Sequence, residues 1–90
     1  MSTFIIFRYT VADYDIWRNH FDKYAMKRKE MGLKNLYILV DEEYKNDVTL
    51  ILEAENKSEI KEFYKSNEFK GILKESGVIS QPIIQFLDKS

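Results

Sequence analysis

Cysteine is absent from the sequence. That excludes disulfides, thiolate metal sites, iron–sulfur clusters and thiol nucleophiles, and it removes the signature of a small stapled secreted scaffold. There is a single histidine, so any further metal ligands would have to be carboxylates, and no H-x-x-x-H spacing occurs. No metal and no cofactor are therefore expected. The three glycines, Gly32, Gly71 and Gly77, are scattered, so no Gly-rich loop can cradle a phosphate. Neither sign of charge dominates: 14 basic and 15 acidic residues give a net charge of −1. A nucleic-acid partner would need a basic stripe, and none is present. No apolar run approaches the 18 or so residues of a spanning helix. The opening MSTFIIFRYT carries no charged n-region and no cleavage-like site, so a signal peptide is not expected. These absences lead to the expectation of a cytoplasmic protein with no membrane partner, in one domain over residues 1–90.

What is present is a clear alternation of periods. Residues 3–11, TFIIFRYTV, are rich in β-branched and aromatic types and read as a strand. Asp13 then suits a helix N-cap. From residue 14 the period changes to that of a helix. Trp17, His20, Phe21, Tyr24, Arg28 and Met31 fall within a stripe about 100° wide, and Gly32 is placed to end the helix. Residues 33–41 and 48–54 read as two strands of a hairpin around the polar EEYKND. Asn56 with Glu59 fits a capping box for a second helix. Ile60, Phe63 and Tyr64 supply its apolar face, and KSNEF can interrupt it, with Ser66 capping a further segment through Phe69, Ile72 and Leu73 to Gly77. Residues 81–88 read as a last strand, whose Pro82 is better tolerated at an edge than at a centre.

The order β-α-β-β-α-β implies an α+β, ferredoxin-like fold, a four-stranded antiparallel sheet with its helices on one face. Other users of this order do not fit. An RNA platform wants aromatics on the third strand, and VTLILEA has none. Acylphosphatases want a Gly-rich anion loop and metal chaperones a C-x-x-C pair. The strands are apolar on both faces, as in Phe4-Ile5-Ile6-Phe7 and Leu36-Tyr37-Ile38-Leu39-Val40, where a one-sided sheet would alternate. The face without helices needs a cover. A second copy of the same sheet is the simplest, giving a homodimer, which also offsets the small core of a domain that buries only about 60–65% of its unfolded surface.

FRYTVADYDIWRNHFD followed by RKEMGLKNL, together with the later SNEF, GV and PIIQFL segments, resembles the dimeric α+β barrel superfamily of antibiotic-biosynthesis-monooxygenase-like proteins, and most closely its small stand-alone members. Val11, Ala12, Asp13, Tyr14, Trp17, Phe21, Asp22, Arg28 and Gly32 carry the first half of the likeness. Ser66, Glu68, Phe69, Gly77, Val78, Pro82, Phe86 and Leu87 carry the second. The resemblance implies a dimeric barrel over nearly the whole chain. The superfamily spans oxygenases, haem-degrading enzymes, isomerases and proteins without a known reaction, so fold leaves activity open. Where such relatives place histidines, this chain has Tyr9 and Tyr24. The axial histidine of the haem-degrading branch has no counterpart after His20.

Two functions stay open. In a binding protein, Tyr9, Trp17 and Phe21 would contact a small hydrophobic or aromatic ligand in a cavity between the first helix and the sheet. In a cofactor-independent monooxygenase, isomerase or cyclase-like enzyme, His20 or a tyrosine such as Tyr24 would move a proton, and Arg28 would stabilise the resulting anion. The substrate would be a small aromatic or polyketide-like molecule whose own carbanion reacts. Equally, His20 can be a partly buried histidine bonded to a neighbour, and Trp17 and Phe21 can be plain core. Arg8, a charge among strand apolars, is open to dimer-contact and ligand-contact readings.

Overall fold

A computed structural model describes residues 2–90. The elements run β1 (Thr3–Thr10), α1 (Tyr14–Lys23), α2 (Ala25–Glu30), β2 (Leu33–Val40), β3 (Asp47–Ala54), α3 (Lys57–Lys65), α4 (Asn67–Glu75) and β4 (Ile83–Asp88). The four strands form one antiparallel sheet in the order β2-β3-β1-β4, the ferredoxin-like arrangement with the first and third strands central. β4 is an edge strand, and Pro82 lies just before it.

Alternation along the central strands assigns the two faces. Thr3, Ile5, Phe7 and Tyr9 on β1 and Val48, Leu50, Leu52 and Ala54 on β3 are buried toward the helices. Trp17 from α1 and Ile60 from α3 close the core from above, each almost wholly inaccessible. Removing a fully buried aromatic costs roughly 3–5 kcal/mol, so Trp17 is the strongest single anchor of α1 to the sheet.

The caps follow the sequence. Asp13 accepts a hydrogen bond from the Ile16 backbone N–H (3.1 Å), and Asn56 accepts one from Glu59 (3.0 Å). Ser66 serves two helices at once. Its hydroxyl donates to the Phe63 carbonyl (2.6 Å), ending α3, and accepts from the Phe69 N–H (3.2 Å), starting α4. That is the interruption anticipated at KSNEF. Gly32 (φ +72°) and Gly77 (φ +84°) adopt the left-handed conformation that ends α2 and α4.

Two features depart from the sequence expectation. A single helix was expected from residue 14 to Gly32, but it divides at Tyr24. There the backbone leaves helical geometry (φ −96°, ψ 13°). The Phe21 carbonyl accepts instead from the Tyr24 N–H (3.2 Å) and from Arg28 Nη1 (2.8 Å). A guanidinium inserted into the backbone ladder is a recognised cause of a kink. The second departure is a bulge between Asn35 and Tyr37 on β2. It changes the phase of the strand. Leu33 and Ile38 thus both pair with inward positions, Ala54 and Leu50, while Tyr37 and Leu39 pair with outward Ile51 and Thr49.

The outer sheet face, away from the helices, carries Ile6, Ile51, Tyr37, Leu39, Ile83 and Leu87. Tyr37 is 60% exposed and Ile83 64%. Arg8 stands on this face too, exposed and opposite Thr49 and Ile83. Among the described residues no helix is long and apolar enough to cross a membrane.

Candidate functional site

The inner sheet face and the four helices enclose a cavity of about 80 Å³. One water needs roughly 10–15 Å³ of such volume, so the space holds several waters or one small organic molecule. Trp17, Phe21, Tyr24 and Arg28 line one side of it, and Phe63, Tyr64, Phe69 and Leu73 the other. Its floor is Phe7, Tyr9, Leu50 and Leu52.

Aromatic rings wall it. Tyr9 and Tyr64 both meet Phe7 edge-on, each with centroids 5.2 Å away, so the two phenols flank one ring. Trp17 stacks on Phe21 at 5.1 Å, and Phe69 lies 4.7 Å from Tyr64. Such pairs fix ring positions beyond what area burial alone achieves. The Trp17 indole Nε1–H donates to the Tyr9 hydroxyl oxygen (3.0 Å), a buried bond that fixes both rings.

Arg28 supplies the charge. Its guanidinium carbon lies 3.7 Å from the Phe21 ring centroid, a cation–π contact, and Nη1 is held by the Phe21 carbonyl. Half-buried, it forms no salt bridge among the described residues. Burial lowers its pKa from the ordinary arginine value, yet a guanidinium stays protonated in proteins. Burial pushes the Tyr9 and Tyr64 phenols well above the usual tyrosine value, and the Arg28 charge opposes that rise at both. Both phenols are therefore neutral donors at any physiological pH.

The mouth is polar. Lys27 Nζ pairs with Glu68 (2.6 Å) and lies 5.3 Å from the Phe63 ring centroid. The Tyr24 hydroxyl donates to Glu75 (3.3 Å), and Lys23 Nζ is 3.7 Å from the same carboxylate.

Of the six residues singled out from the sequence, Tyr9, Trp17, Phe21, Tyr24 and Arg28 all line this cavity. His20 does not. Its Nδ1 lies 3.9 Å from Glu75 on α4, buried and without a hydrogen-bond partner. Sequence reasoning missed the second wall, Phe63, Tyr64 and Phe69 from α3 and α4, together with Phe7 below them. The signal lay in three aromatics within seven residues around KSNEF, more than two short helices need for packing. Among the described residues no three His, Cys, Asp or Glu side chains gather as metal ligands would.

The chain matches no protein-family model and no curated protein. Solved structures are similar over nearly its whole length. A protein named as a candidate antibiotic biosynthesis monooxygenase from Bordetella bronchiseptica superposes with a TM-score of 0.79 at 14% identity, over 99% of this chain and 97% of that one. A conserved protein from Methanosarcina mazei gives 0.75 at 13% identity, covering 100% and 94%. SnoaB, a cofactor-independent oxygenase from Streptomyces nogalater, gives 0.72 at 12%, covering 99% and 95%. At such identities the likeness is one of fold, and on that ground the chain has the α+β fold of the antibiotic biosynthesis monooxygenase-like proteins.

Proposed function

We propose that this protein is a small-molecule-binding dimeric α+β barrel, a cytoplasmic homodimer whose 1–90 domain holds a small aromatic ligand between helices and sheet. One observation carries the reading: the rings of Phe7, Tyr9, Trp17, Phe21 and Tyr64 leave a cavity around an arginine instead of filling it. Apolar walls with a few convergent polar groups are how small-ligand sites are built. The apolar outer sheet face supports the dimer, since a patch of that kind on one face calls for a cover. The absence of cysteine suits the cytoplasm.

A second reading is favoured by the shared fold with SnoaB, a cofactor-independent oxygenase. The same cavity would hold a substrate whose carbanion reacts directly with dioxygen, with Arg28 against its anionic oxygen. His20 and Tyr24, which both reach Glu75 beside the mouth, are the residues nearest to hand for proton transfer.

Native mass spectrometry of protein taken from its own host tests the first reading. The expected spectrum shows a dimer with added mass that gentle activation removes as a small molecule. A monomer, or a dimer that takes up no added aromatic compound, overturns it. Dioxygen uptake with readily ionised aromatic substrates separates the two readings.

A further inference from the structure

The cavity is rich in donors and poor in acceptors. Among the described residues no aspartate, glutamate or histidine lines it. The polar oxygens of its lining residues are already committed or keep a free proton. Ser76 Oγ donates to the Ile72 carbonyl (2.7 Å). The Phe21 carbonyl is taken by Arg28. The Tyr24 hydroxyl points its proton outward to Glu75. The Tyr9 oxygen accepts from Trp17, which leaves its own proton free. The Tyr64 hydroxyl has no hydrogen-bond partner among the described residues, although the ring is largely buried.

Arg28 adds a half-buried cation with no carboxylate paired to it. Lys27, the other cation of the cavity, is already neutralised by Glu68. A charge drawn partly out of water is costly; the Phe21 carbonyl and ring and the more distant Asp22 carboxylate offset it in part, but none of them is a salt-bridge partner. A salt-bridge position on Arg28 is thus open to an anion from outside the protein.

We propose that the ligand is a one-ring aromatic compound that arrives already ionised, its charged oxygen held by Arg28 with the Tyr9 and Tyr64 hydroxyls, and that the cavity supplies no base to create that charge. This rests on the cavity being the ligand site. The small volume sets the ring count, and the rings of Phe7 and Phe21 flank the ligand. Buried phenols that resist ionisation strengthen the case, because they serve as donors and not as proton acceptors. Carboxylates, acidic phenols and stabilised enolates share the required chemistry. If the bound compound then reacts with dioxygen, its proton is lost before it enters the cavity, in water or at the His20–Tyr24–Glu75 cluster, and the part of the cavity itself is to hold and desolvate the anion.

The test is calorimetric titration of the intact protein with benzoate, benzyl alcohol and benzylamine. The expected order is carboxylate, then alcohol, then amine. A charge-assisted hydrogen bond is worth roughly 1.5–3 kcal/mol, so benzoate should bind about 10- to 100-fold more tightly than the alcohol. Arg28→Gln should abolish that preference, with benzoate binding no more tightly than the alcohol to the same variant. Tyr64→Phe should weaken benzoate alone, by roughly 2- to 10-fold. If Arg28→Gln fails to fold, the order of the three compounds on the wild-type protein decides the matter by itself. Equal binding of all three, or the amine binding tightest, overturns the anion assignment and leaves the cavity as a ligand site. No binding by any of the three overturns the cavity reading itself.

Discussion

Tyr9→Phe removes one oxygen from the core and changes nothing else in shape. That oxygen accepts the Trp17 indole N–H at 3.0 Å, and both residues are buried, at 7% and 1% exposure. In the variant the indole N–H stays in place with no protein acceptor. Leaving a buried donor unsatisfied costs about 1–3 kcal/mol. Part of this is offset, because the phenol's own burial, which drives its pKa upward, is relieved. A net loss of about 1.5 kcal/mol is expected. For a domain of this size each kcal/mol moves Tm by roughly 4–8 °C, so Tm should fall by roughly 6–12 °C. The assay is urea unfolding followed by circular dichroism at fixed protein concentration, since assembly would shift the midpoint. Trp17→Phe and the double variant complete a cycle. The double variant should fall short of additivity by about 1 kcal/mol. A Tyr9→Phe effect below about 0.5 kcal/mol, or a fully additive cycle, would refute the claim that this bond fixes the cavity wall.

Other consequences can be measured on the same protein. The folded-state pKa values of Tyr9 and Tyr64 lie above the unfolded value of 10.0. Their contribution is therefore complete below pH 10 and is lost as pH rises toward the folded values, by about 1.4 kcal/mol per pH unit per tyrosine. Urea midpoints from pH 9 to 11 should fall, and Tyr64→Phe should lose about 1.4 kcal/mol less than the wild type over that whole interval, because the unfolded phenol is only half ionised at pH 10; equal losses would contradict it. Asp13→Ala removes the α1 cap and should cost about 1 kcal/mol, read from the same unfolding curves. Ile6→Glu puts a charge at the centre of the outer face without touching the helix side, and sedimentation should shift from dimer to monomer. An unchanged sedimentation coefficient would show that the outer face is not the interface.

The strands, the caps and the helix stripe were legible because each rests on local chemistry. Asp13, Asn56 and Ser66 cap where their side-chain oxygens meet nearby N–H groups, and alternation along β1 and β3 separates the two faces. The kink at Tyr24 was not legible. It has no proline or glycine to mark it, and it depends on Arg28 reaching back seven residues to the Phe21 carbonyl. The bulge at Asn35–Tyr37 was hidden as well, because a strand apolar on both faces does not reveal a change of phase. Half the cavity was readable from the α1–α2 stripe. The other half comes from α3 and α4, about forty residues later in the chain, and which rings meet across that gap is settled only by packing. His20 illustrates the same limit: it shares the stripe of Trp17 and Tyr24 on a helical projection, but stands at the edge where α1 meets α4, so its imidazole turns toward Glu75 and away from the cavity.

Occupation of the space between Trp17, Arg28 and Tyr64 by a small aromatic anion is open to direct measurement. Trp17 is the only tryptophan, so its indole N–H gives one resolved resonance in a two-dimensional nitrogen–proton spectrum. Titration with benzoate should move that resonance progressively to saturation, together with backbone signals of Phe7, Arg28 and Tyr64, while signals from outward-facing Ile51 and Tyr37 stay still. An indole resonance that remains fixed while benzoate saturates the protein elsewhere would contradict the account.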